Sequence, residues 1–143
     1  VGSKDCYLKE CWENRSADDI YKEYLEKVYK SVNANYPWQI AGHLGYPARY
    51  APKDERDFSF EKYSAELTDI LKAIISNGKF LEINSSTKSE KPFMPFEDVL
   101  KKYAALGGKF VTFGSDAHSA VRYCENASEV EKIIKKYGFV SVG

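Results

Sequence analysis

Along the chain, short apolar runs of strand length alternate with stretches of helical period, and that alternation limits the available folds more than any other feature. The strand-length runs lie at 38–41, 80–83, 109–113 and 139–142. The first helical pattern opens at Ser16, with an acid three residues on at Asp19 as in a capping box. It carries Ile20, Tyr21, Tyr24, Leu25, Val28 and Val32 along one face. The second, over residues 60–76, groups Leu67, Ile70, Leu71 and Ile74 and stops at Asn77-Gly78. The third follows Pro95 and ends at Gly107-Gly108, a C-cap signal. The fourth is expected to start at the Ser128-x-x-Glu131 pattern and to stop at Gly138. Strand then helix, repeated in units of roughly 30–40 residues, is the rhythm of βαβ units and a mainly parallel sheet.

Four strands are few for such a fold, since a closed eight-stranded barrel usually takes about 250 residues. The 143-residue chain is expected to be one domain over residues 1–143. It is either a small open α/β sheet or part of a larger barrel. Lys+Arg and Asp+Glu both number 21, so the chain has no basic excess with which to grip a nucleic-acid backbone. The apolar stretches are too short for a spanning helix, and Val1 opens no charged-then-apolar leader. Three cysteines, Cys6, Cys11 and Cys124, make no disulfide framework. The four residues between Cys6 and Cys11 also differ from the C-x-x-C spacing of structural zinc sites. The expectation is a cytoplasmic protein with no membrane partner.

In parallel α/β folds the chemistry gathers at the carboxyl ends of the strands. Both histidines of the chain fall at such ends, each after a glycine-containing turn: Gly42-His43 after the first run, Gly114-Ser115-Asp116-Ala117-His118 after the third. Residues i and i+2 leaving a strand point the same way, so Asp116 and His118 are candidates to converge. Their oxygen and nitrogen donors suit Zn²⁺, Mn²⁺ or Fe²⁺. The same residues also have a plain structural reading, in which Asp116 caps a turn, His118 is an exposed loop histidine and His43 a hydrogen-bonded core residue. Glu82 sits inside an apolar strand, where a carboxylate is costly unless paired, metal-bound or solvated. Arg49 offers a guanidinium fork for a phosphate, or is an ordinary loop arginine. No G-x-G-x-x-G, G-x-x-x-x-G-K or G-x-S-x-G motif is present.

Three blocks carry a resemblance: GHLGYPARYAP with His43 and Arg49-Tyr50, GKFLEINSS at Gly78–Ser86, and TFGSDAH at Thr112–His118. In this order they resemble the C-terminal half of the PHP (polymerase and histidinol phosphatase) family, closest to its histidinol-phosphatase branch. The resemblance implies a distorted (β/α)7 TIM-like barrel with parallel strands, of which this chain would be the C-terminal portion. It implies divalent ions, two or three in the family, and hydrolysis of a small phosphate monoester, L-histidinol phosphate in histidine biosynthesis. On that pattern His43, Asp116 and His118 are metal ligands, Arg49 holds the substrate phosphate, and Glu82 and Asn84 line the site.

The chain also departs from the pattern. The family's H-x-H pair, its further histidines and its bridging glutamate are absent. Val1-Gly2-Ser3 resembles a family block that breaks off at Lys4-Asp5, and Thr87-Lys88-Ser89 stand where an arginine is expected. A partial ligand set follows, in a chain expected to begin midway through its parent and to dimerise or to take up a complementing N-terminal segment. Two other functions remain open: a PHP-type phosphoesterase acting on nucleotides or nucleic-acid ends, and a non-catalytic scaffold with a degenerate metal site.

Overall fold

The computed structural model describes residues 4–86 and 91–142. Val1-Gly2-Ser3 and Thr87-Lys88-Ser89, on which two of the sequence comparisons fall, lie outside the described residues. Four helices and four strands alternate: α1 Ala17–Val32, β1 Ile40–Ala41, α2 Ser64–Ser76, β2 Phe80–Asn84, α3 Glu97–Ala105, β3 Phe110–Gly114, α4 Ala127–Tyr137 and β4 Val140–Ser141. The strands form one sheet in the order β1-β2-β3-β4, and every pairing is parallel. An order without reversal separates this sheet from a doubly wound one and is that of consecutive units of a barrel wall. The α/β architecture with parallel strands is therefore as expected, and the sheet is open across the described residues.

Local signals account for most of the elements. Ser16 Oγ accepts the Asp19 N–H at 3.1 Å and so caps α1. The acid does not return the bond to the Ser16 backbone; it takes the Ser16 hydroxyl instead, at 2.7 Å. Helix α4 starts earlier than the Ser128 pattern predicts. Its N-cap is Asn126 at φ +54°, which places Ser128 inside the first turn. Gly138, at φ +66°, ends it as expected.

The helices pack side by side in one layer, α1 on α2, α2 on α3 and α3 on α4. Between this layer and the sheet lies the core, with Tyr21, Leu25, Leu67, Ile70, Leu71, Ile74, Leu81, Ile83 and Val111 essentially inaccessible. The other face of the sheet is uncovered at the amino-terminal ends of the strands, although Asn84 and Thr112 on it are buried. Ile40 and Phe80 are register partners, Phe110 packs on Phe80 and pairs with Val140, and Ile40, Phe110 and Val140 are 45–50% exposed. An exposed apolar row thus crosses all four strands.

Segment 44–59, between β1 and α2, contains two single-turn 3-10 helices, Tyr46–Arg49 and Lys53–Glu55, and is packed against the helical layer through Leu44, Ala48, Ala51 and Phe58. Cys6 and Cys11 are free thiols 3.7 Å apart, buried with Ile20 in a small satellite cluster; their role is packing. Burial pushes the Cys6 thiol up to about 12, which makes it inert at neutral pH. No helix of the described residues is long and apolar enough to cross a membrane.

Candidate metal and phosphate site

The candidate residues gather at the carboxyl ends of β1, β2 and β3, where the parallel pairing brings three loops together. Asp116 is their meeting point. Its carboxylate lies 3.9 Å from His43 Nε2, 4.0 Å from His118 Nδ1 and 3.4 Å from Arg49 Nη1. Two ligands of one ion, each about 2.0–2.2 Å from it, stand roughly 3–4 Å apart. The donor types, and the 3.9 Å between Asp116 and His43 Nε2, therefore suit one side of a divalent-ion site. They do not complete it: among the described residues no group of three or more His, Cys, Asp or Glu could hold an ion.

The convergence of Asp116 and His118 is weaker than the i, i+2 argument expects. Strand β3 ends at Gly114, and Asp116 follows at φ +47°, outside extended geometry. The His118 ring folds back so that Nδ1 lies 2.9 Å from the Asp116 carbonyl. A carbonyl only accepts, so Nδ1 carries the proton and Nε2 is left with the lone pair that a metal needs. The ring is 88% exposed.

Arg49 is not a surface loop arginine. The 3-10 turn Tyr46–Arg49 carries it inward, where it is 7% exposed. Nη1 reaches Asp116, while Nε and Nη2 have no hydrogen-bond partner among the described residues. Such unmet donors are uncommon, and a guanidinium supplies a fork that fits phosphate oxygens.

Glu82 and Asn84, in β2, are tied to each other and to the loop after β1. Glu82 Oε2 accepts the His43 backbone N–H at 2.8 Å, and Oε1 accepts Asn84 Nδ2 at 3.1 Å. Asn84 Oδ1 in turn accepts the Ser86 N–H at 3.0 Å. The costly strand carboxylate is thus paired, not merely solvated. Sequence reasoning missed Tyr24, whose hydroxyl donates to the His43 carbonyl at 2.7 Å. On the helical stripe it read only as core; no pattern marks its hydroxyl. It also missed the aromatic rim of Tyr46, Tyr50 and Tyr7, whose rings meet edge to face at 5.2 and 5.6 Å beside His43. The Tyr46 hydroxyl donates to Asp5 at 3.0 Å.

No family model matches the chain. It is 34% identical to the histidinol-phosphatase of Lactococcus lactis over 123 residues, 85% of this chain and 46% of that protein. It is 35% identical to the probable histidinol-phosphatase of Thermotoga maritima over 129 residues, 89% of this chain and 52% of that protein. The crystal structure of histidinol phosphate phosphatase from Lactococcus lactis, complexed with zinc, L-histidinol and phosphate, superposes with a TM-score of 0.87. That match has 31% identity over 99% of this chain and 55% of the other. The parallel α/β wall with histidine, aspartate and arginine at its carboxyl end is that of a candidate metal-dependent phosphatase of the PHP type. The chain is similar to the histidinol-phosphatase branch of the PHP family, in its C-terminal portion. It spans about half the length of the relatives it matches.

Proposed function

We propose that the chain is part of a metal-dependent phosphatase that hydrolyses L-histidinol phosphate to L-histidinol and phosphate in the cytoplasm. One observation carries this reading: the Asp116 carboxylate stands within 4.0 Å of two imidazoles and of a buried, half-satisfied guanidinium. The Lactococcus structure with zinc, L-histidinol and phosphate supports it. His43, Asp116 and His118 are the metal ligands in this reading, with Zn, Mn or Fe as the ion and further ligands supplied from outside the described residues. Bound there, the ion lowers the pKa of its water and neutralises phosphoryl oxygens. Arg49 orients the phosphoryl group through charge-assisted bonds, while Glu82 and Asn84 line the site.

Elemental analysis of the purified chain tests the reading, with His118→Ala as control. The expected result is bound Zn, Mn or Fe that drops at least about 10-fold in the variant, as loss of a direct ligand should exceed the effect of an outer-shell change. Metal content unchanged in His118→Ala would overturn the ligand assignment, and a folded chain free of transition metal would favour the scaffold reading for this chain as it stands.

The uncovered part of the sheet face supports a partner. Large apolar patches on a soluble surface mark interfaces, and the row through Ile40, Phe80, Phe110 and Val140 runs across the whole sheet. Beside it, between α1 and the β1 edge, lies a groove of about 420 Å³ lined by Tyr24, Val28, Trp38 and His43 among others. In this reading a complementing segment, or else a second copy, covers the face. Sedimentation of the chain alone should show a dimer or larger species, and a clean monomer at high micromolar concentration would count against it.

A further inference from the structure

His43 holds a backbone conformation that non-glycine residues seldom adopt. Its φ is +58°, in the left-handed region where a Cβ crowds the following carbonyl. A non-glycine residue stays there only when its surroundings over-determine it. Both ends of the residue are in fact gripped by side chains from other elements. Glu82 Oε2, from β2, accepts its N–H at 2.8 Å. The Tyr24 hydroxyl, from α1, donates to its carbonyl at 2.7 Å and accepts the Gly45 N–H at 3.3 Å.

Space for the carboxylate is reserved on both sides. A Cβ on Gly42 would stand 3.2 Å from Glu82 Oε2, and one on Gly114 would overlap Oε1. These glycines lie just past the end of β1 and at the end of β3, flanking β2. A carboxylate seated between two glycines, with both oxygens engaged, is a built feature of the sheet.

We infer that Glu82 and Tyr24 are positioning residues: together they clamp the His43 backbone in its left-handed conformation and so hold the imidazole toward Asp116. This rests on the reading of His43 as a metal ligand. Released from the clamp, His43 relaxes to negative φ and its ring turns away from the carboxylate. Tyr24→Phe deletes one oxygen and keeps the ring. Glu82→Gln keeps the shape, but its amide presents a donor to one of the two donors, His43 N–H and Asn84 Nδ2, that the carboxylate now accepts.

The test measures Zn²⁺ affinity by chelator competition and the backbone chemical shifts of His43 by NMR, which report φ. Tyr24→Phe and Glu82→Gln should each weaken Zn²⁺ binding about 10–100-fold, the usual effect of losing an outer-shell partner, and move the His43 shifts out of the left-handed range. Tyr63→Phe is the control. It loses a comparable hydroxyl bond, to Asp18 at 2.9 Å, and should lower thermal stability while moving neither readout. Unchanged affinity and unchanged His43 shifts in both variants would overturn the clamp. If the parent chain binds no Zn²⁺, the metal reading fails on its own, and the shifts alone decide: left-handed His43 in both variants overturns the clamp, its loss sustains it.

Discussion

Arg49→Met is expected to abolish phosphate affinity and to make the chain more stable. The guanidinium is buried, yet only Nη1 is engaged, at 3.4 Å from Asp116. Nε and Nη2 have no hydrogen-bond partner among the described residues. Each unmet buried donor costs about 1–3 kcal/mol, whereas a pair with the partly exposed Asp116 returns about 0–1 kcal/mol. Methionine fills similar space without polar atoms, so stability should rise by about 1–2 kcal/mol, read as a higher urea midpoint at unchanged slope. Inorganic phosphate binding, read by calorimetry, should weaken at least about 100-fold, which corresponds to about 3 kcal/mol of charge-assisted bonding. A side chain that destabilises the fold and serves only a ligand gives this pair of results. Lower stability with unchanged phosphate binding would instead make Arg49 a structural residue.

The contrast between Arg49 and the helices shows what the sequence reveals. The helical stripes were legible because burial follows period: Ile20, Tyr21, Leu25 and Val32 on α1, and Leu67, Ile70, Leu71 and Ile74 on α2, are all buried. The parallel sheet followed from the alternation. Boundaries were less legible, since β1 pairs only with β2 and forms a ladder of two residues, Ile40 and Ala41, where four were expected. The position of the candidate residues at strand ends was legible too. Their geometry was not. The bond from His43 to Glu82 links residues 39 apart in sequence, and the left-handed turns at His43 and Asp116 occur at residues that do not advertise them, unlike glycine. The burial of Arg49 depends on a 3-10 turn in a segment without hydrophobic period.

Tyr21→Ala should unfold the chain, and with it the site. Tyr21 is fully buried and meets Phe58, Tyr63 and Trp12 edge to face, with centroids 5.3, 5.7 and 6.4 Å away. Its hydroxyl donates to the Glu55 carbonyl at 2.8 Å, tying α1 to the turn Lys53–Glu55. Truncating a buried aromatic costs about 3–5 kcal/mol, and edge-to-face pairs add about 0.5–1.5 kcal/mol beyond area. Domains of this size have only about 5–15 kcal/mol in total, and one with a partly uncovered sheet face has less apolar burial to draw on. Tyr21→Phe keeps the rings in contact and loses one bond, so it should cost about 1 kcal/mol. The two variants separate packing from polarity in a urea titration; equal costs would mean that the hydroxyl, not the ring, holds the nest together. The consequence reaches the site through one ring. Phe58 packs on Tyr21 and also on Tyr24, at 6.1 Å, and the Tyr24 hydroxyl holds the His43 carbonyl. The aromatic core of the helical layer thus fixes the angle from which α1 reaches the strand ends, so Tyr21→Phe should retain Zn²⁺ binding and Tyr21→Ala should lose it together with the fold.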